Sequence, residues 1–110
     1  MNAITTDAQK EAKTLAGKIA EYCKPQKIVL FGSVVRGDGN KNSDIDLLVI
    51  KRSKQIRPFR VKEVFEAIRG IKRTFPLDVI VYTPEELKKR TMMGDYFINR
   101  VLEEGKVLYG

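Results

Sequence analysis

Apolar residues recur at spacings of three and four over residues 7–24: Ala8, Ala12, Leu15, Ile19 and Tyr22 fall on one stripe, which predicts an amphipathic helix. Pro25 ends it, because proline has no N–H to continue the ladder. Two apolar runs follow, Lys27–Phe31 (KIVLF) and Asp44–Lys51 (DIDLLVIK), and both read as short strands. Gly32 stops the first, and the second is apolar on both faces beyond its first three residues. Pro58 opens a helix running to Lys72, with Val61, Val64, Phe65, Ile68 and Ile71 on one stripe. Leu77–Tyr82 (LDVIVY) is a third strand. In TPEELKKR, Thr83 is an N-cap, Pro84 fits the first helical position and Glu86 completes a capping box. A last helix spans Tyr96–Glu104, Gly105 ends it, and Lys106–Tyr109 adds a small edge strand. The pattern predicts an α/β (α+β) domain: a small mixed sheet of about three to four strands with helices packed on one side. No repeat or linker divides residues 1–110, so one domain is expected.

Composition narrows the chemistry more than the fold. Lys and Arg number 21 against 14 Asp and Glu, and the net charge of +7 favours an anionic partner: nucleotide, nucleic acid or acidic protein. A single cysteine, Cys23, permits no disulfide framework, and a cytoplasmic location is the simplest expectation. No run approaches a membrane span, and the first residues lack a signal-peptide profile. There is no histidine. A His-dependent triad, His general acid–base catalysis and Cys- or His-ligated zinc are thereby excluded. Acid–base or metal chemistry has to run on Asp and Glu, whose hard oxygens suit magnesium, manganese or calcium.

Asp44 and Asp46 share one face of their strand, with Ile45 turned the other way and Leu48 and Ile50 continuing the aspartate face into the core. Asp78 holds the equivalent place on the third strand, followed on its face by Ile80 and Tyr82. If the two strands are neighbours, three carboxylates meet at one edge of the sheet. Such a cluster repels itself unless a divalent cation neutralises it, and two cations would clamp both the attacking and the leaving oxygen of a phosphoryl group. A DxD at a strand start is more often a solvated turn, and a Gly-Ser after a strand is usually only a turn. The fixed spacing Gly32-Ser33, ten residues, Asp44-x-Asp46 is sharper than either alone.

Two rival motifs fail. The segment beginning at Asp38 starts like a calcium-binding EF-hand loop, but its sixth residue is Ser43 where glycine is required and its twelfth is Val49 where glutamate is required. No GxxxxGK[ST] is present, so there is no P-loop. The basic run Lys51–Lys62 (KRSKQIRPFRVK) reads either as a solvated loop and helix start or as a surface for an anionic partner. With Phe59 its only aromatic, it lacks the stacking residues of a single-strand nucleic-acid binder. Lys88, Lys89 and Arg90 sit late in a helix, where cations complement the dipole.

GSVVRG…SDIDLLV with the later LDVIVY resembles the minimal nucleotidyltransferase (MNT) group of the DNA polymerase β superfamily, over about Lys27 to Tyr82. The resemblance implies that Asp44, Asp46 and Asp78 bind two magnesium ions. Asp78 would also help deprotonate the attacking hydroxyl. Gly32 would admit the triphosphate to the backbone, Ser33 would contact a terminal phosphate oxygen, and Arg36 would hold the phosphates. Val34 and Val35 stand where the family often has smaller residues. The resemblance further implies an antitoxin that transfers AMP from ATP to a tyrosine of a HEPN-type ribonuclease toxin. Transfer to a small molecule or an RNA end is a second expectation, and a non-catalytic antitoxin acting by binding is a third. A nucleic-acid-binding regulator rests on charge alone.

Overall fold

The computed structural model describes residues 6–36 and 44–110. The elements run α1 (Asp7–Cys23), β1 (Lys27–Phe31), α2 (Ser33–Arg36), β2 (Ile45–Ile50), α3 (Arg57–Ala67), β3 (Leu77–Tyr82), α4 (Pro84–Met92), α5 (Tyr96–Glu104) and β4 (Lys106–Tyr109). The segment between Arg36 and Asp44, which carries the first half of the rejected calcium-loop look-alike, lies outside the described residues. No helix among the described residues is long and apolar enough to cross a membrane.

The four strands form one mixed sheet in the order β3-β2-β1-β4. β1 pairs antiparallel with β2 and β4, whereas β2 and β3 are parallel and joined by the α3 crossover. Strict alternation sends Ile28, Leu30, Ile45, Leu47, Val49 and Val81 to one face, where α1 and α3 cover them. The opposite face carries Val29, Leu48, Ile50 and Tyr82, and packs against Ile98 and Val101 of α5 and Leu87 of α4. Helices were expected on one side only; the structure puts them on both. Asp46 and Asp78 thus share a face with α4 and α5.

Two local features differ from the sequence pattern, the buried stripe of α1 and the end of α3. Tyr22, expected on the buried stripe of α1, is 60% exposed, and Cys23 fills that place instead at 3%. Both lie one turn beyond Ile19, and the smaller, less polar side chain takes the tighter site against α3. α1 closes at Lys24 in the left-handed conformation, just before Pro25. α3 stops at Ala67 and not at Lys72, because the chain turns at residues 68–70 with Gly70 at φ +90°. Ile68 and Ile71 still reach the core from that turn. The capping boxes of α1 (Thr6 with Gln9) and α4 (Thr83 with Glu86) are both formed.

Much of the basic run is committed to the fold. Lys51 pairs with Glu63 at 2.9 Å, Arg52 with Glu85 at 3.1 Å, and the Arg57 guanidinium lies over Tyr82 at 5.0 Å. Arg60 is buried. Its Nη1 and Nη2 donate to Glu86 Oε1 and Oε2 at 2.6 and 3.2 Å, and its Nε donates to the Gln55 carbonyl at 2.6 Å. This fork ties α3 to the first turn of α4, while Glu86 Oε1 also accepts from the Thr83 N–H. The Arg60 hydrogen bonds hold the Glu86 carboxyl down to about 2 against the burial that opposes them.

We expect Arg60→Leu to destabilise the fold by about 2–4 kcal/mol, measured by urea unfolding at pH 7, since it strips a half-covered carboxylate of its partner. A carboxyl whose folded pKa is depressed adds stability above its ordinary value of 4.5 and loses it as pH falls toward about 2. The acid limb of the wild-type stability profile between those values should therefore flatten in Arg60→Leu.

Candidate active site

Strand register builds the site. In the antiparallel pair Phe31 stands opposite Asp46, and in the parallel pair Asp46 stands beside Asp78. Phe31, Asp46 and Asp78 therefore form one row across three strands, on the α5 face. Asp46 is half-buried, while Asp78 and Asp44 are exposed. Asp44 lies one residue before β2 begins. Burial pushes the Asp46 carboxyl up to about 6, and the charges of Asp78 and Asp44 and a hydrogen bond with Asp78 push the same way. The Asp46 anion is therefore costly where it stands, buried in part and facing two like charges.

The turn after β1 is shaped around that row. Gly32 has φ +82°, and a Cβ there would overlap Asp46 Oδ2. Only glycine meets both conditions. Ser33 opens α2, and the Val35 N–H donates to the Gly32 carbonyl at 3.2 Å. Val34 is buried in the core, and Gln9 Nε2 of α1 donates to its carbonyl at 2.9 Å, so the two valines anchor this short helix. Arg36 ends α2 and lines a cleft of about 140 Å³ with Phe31, Gly32, Phe97, Arg100, Val101 and Glu104.

Of the six residues expected from the sequence, the structure brings Gly32, Asp46 and Asp78 together, Ser33 follows at the start of α2, Asp44 lies just outside β2 and Arg36 ends α2. Among the described residues no three His, Cys, Asp or Glu side chains close into a ready metal-binding group. Asp46 and Asp78 form the tight pair, and Asp44 acts on it through its charge. The donor set nevertheless fits a hard divalent cation: every ligating atom is a carboxylate oxygen, and the half-buried Asp46 anion is costly without one. The contribution of α5 was missed. Its signal was present, since Phe97, Arg100, Val101 and Glu104 follow one another at helical spacing on one face.

The sequence profile of the nucleotidyltransferase domain matches residues 12–108. A candidate protein adenylyltransferase of Methanocaldococcus jannaschii is 34% identical over 84 residues, 76% of this chain and 78% of its own. The crystal structure of a candidate nucleotidyltransferase from Sulfolobus solfataricus superimposes with a TM-score of 0.56 at 26% identity, covering 81% of this chain and 82% of that one. A toxin–antitoxin complex solved with AMP-PNP contains a chain of the same fold, with a TM-score of 0.62 at 23% identity over 89% of this chain and 73% of that one. With the fold, the GS-x10-DxD spacing and these matches in hand, the chain belongs to the nucleotidyltransferase domain family of the DNA polymerase β superfamily. It is a nucleotidyltransferase.

A carboxyl whose folded pKa is raised costs stability once pH exceeds its ordinary value, and the cost is complete above the folded value of about 6. Asp46→Asn removes that charge. In chelator at pH 8 we expect the variant to be more stable than wild type by about 1–3 kcal/mol. The gap should close as pH falls toward 4, as read from thermal melts across that range.

Proposed function

We propose that the chain is a magnesium-dependent protein adenylyltransferase that acts as an antitoxin, moving AMP from ATP to a tyrosine hydroxyl of a HEPN-type ribonuclease toxin. The observation that carries the reading is the Asp46–Asp78 row lying directly against the Gly32 backbone. The relative named as a protein adenylyltransferase supports a protein acceptor, and the toxin–antitoxin complex solved with a nucleotide shows this fold in such a setting.

Gly32 and Ser33 would receive the triphosphate, the first by close backbone approach and the second through its hydroxyl, with Arg36 offering a guanidinium fork to phosphate oxygens. Asp44, Asp46 and Asp78 would hold magnesium. When bound, the metal would supply charge neutralisation at the carboxylate row and polarise the phosphoryl oxygens. Asp78, exposed at the edge of the row, would take the proton of the incoming hydroxyl. No histidine is present to do so. The tyrosine oxygen then bonds to the α-phosphorus, the α–β bridging bond breaks, and pyrophosphate leaves with that electron pair.

The test is transfer of label from α-labelled ATP, with magnesium, to the partner HEPN protein. Wild type should label a single class of tyrosine, and Asp44→Asn combined with Asp46→Asn should lower the rate ~100-fold or more. Magnesium-independent label, or label unaffected in the double variant, overturns the reading. A double variant that neither labels nor loses protection of cells would instead identify an antitoxin acting by binding.

A further inference from the structure

We propose that α5 supplies a nucleobase subsite: the cleft of about 140 Å³ between α5 and the end of β1 receives an amino-bearing base, adenine under the reading above, on which this inference rests. Its floor is Phe31, whose next residue is Gly32. A nucleotide with its phosphates on the Gly32–Ser33 turn is therefore beside this cleft from the outset. The cleft is walled by Phe97, which meets the Phe31 ring edge-on at 5.7 Å between centroids. That edge contact leaves Phe97 49% exposed, with part of its π-surface uncovered by the protein. α5 is already anchored by Ile98 and Val101, which are buried in the core, so Phe97 is not needed to fill it.

The polar groups of the cleft match a base as well. Arg100 Nε donates to Glu104 Oε2 at 3.0 Å, one turn along the helix, so both side chains lie on the cleft flank of α5. A guanidinium stacks on base faces, and a carboxylate has more acceptor sites than one arginine bond uses. Glu104 can therefore accept from an exocyclic amino group, which adenine and cytosine carry and uracil lacks. These residues give this small chain a means of gripping the base with its own helix.

The experiment measures magnesium-dependent binding of ATP, UTP and inorganic tripolyphosphate to the full chain, with circular dichroism and melting as the check on folding. Phe97→Ala, and Phe97→Leu, which keeps apolar packing on Phe31 but no aromatic face, should weaken ATP about tenfold and leave tripolyphosphate within about twofold. Glu104→Gln should cut the preference for ATP over UTP severalfold. Unchanged ATP affinity in both Phe97 variants overturns the subsite while leaving the transferase reading intact. Intact nucleotide binding with lost acceptor labelling also overturns it and gives the cleft to the acceptor. Failure of wild type to bind either ATP or tripolyphosphate overturns the transferase reading together with this one.

Discussion

The register of three strands is the constraint on which this structure depends. Pairing Phe31 with Asp46, and Asp46 with Asp78, sets an aromatic and two carboxylates in one row and brings the backbone of Gly32 against the middle member. A slip of one residue in β2 would turn Asp46 to the α1 face and Ile45 to the cleft. What prevents the slip is burial: Ile45, Leu47 and Val49 are fully enclosed by α1 and α3, and Leu48 and Ile50 are enclosed on the other face. The apolar core thereby fixes an arrangement of charges that is unfavourable in itself. Stability and chemistry are held by different residues of the same strand.

How much of this was legible in the sequence follows from the range of each interaction. Alternation within a strand is local, so the common face of Asp44 and Asp46 could be read directly. The GS-x10-DxD spacing is also local and joined the two halves of the candidate site. That β2 and β3 are parallel neighbours in matching register is a long-range fact, legible only as a condition. Helix ends were harder: Gly70 breaks α3 early, and Tyr22 and Cys23 compete for one site on a geometry that periodicity cannot resolve. Helices on both faces went unread because each strand is apolar on both sides, a pattern that demands cover without saying which helix provides it.

Charge is distributed with the same separation of roles. The basic run after β2 suggested an anion-binding surface, yet Lys51, Arg52, Arg57 and Arg60 are turned to Glu63, Glu85, Tyr82 and Glu86. These contacts lie at the C-terminal ends of β2 and β3, whereas the carboxylate row lies at their N-terminal ends. The two ends of the parallel pair thus carry different functions. One end is locked by ion pairs that hold α3 and α4 in place, and the other exposes carboxylates beside a glycine turn. A net charge of +7 describes the whole chain but says little about either end.

α5 joins these two regimes. Its inner face, Ile98 and Val101, closes the second core over Val29 and Leu48, while its flank presents Phe97, Arg100 and Glu104 beside the Gly32 turn. A helix carrying both duties cannot tilt without changing the cleft, and the chain limits such tilting at both ends. Asp95 caps the N-terminus by accepting from the Ile98 N–H at 3.1 Å and pairs with Arg90 of α4. At the other end Gly105 leaves no room for a side chain between Val29 and the Val101 carbonyl, so β4 follows α5 directly back to the sheet. The cleft wall is therefore tied at both ends to the sheet and to α4. In-line group transfer needs a fixed reacting atom, and under the reading proposed above a nucleotide held at both base and phosphates would leave its α-phosphorus little freedom of position.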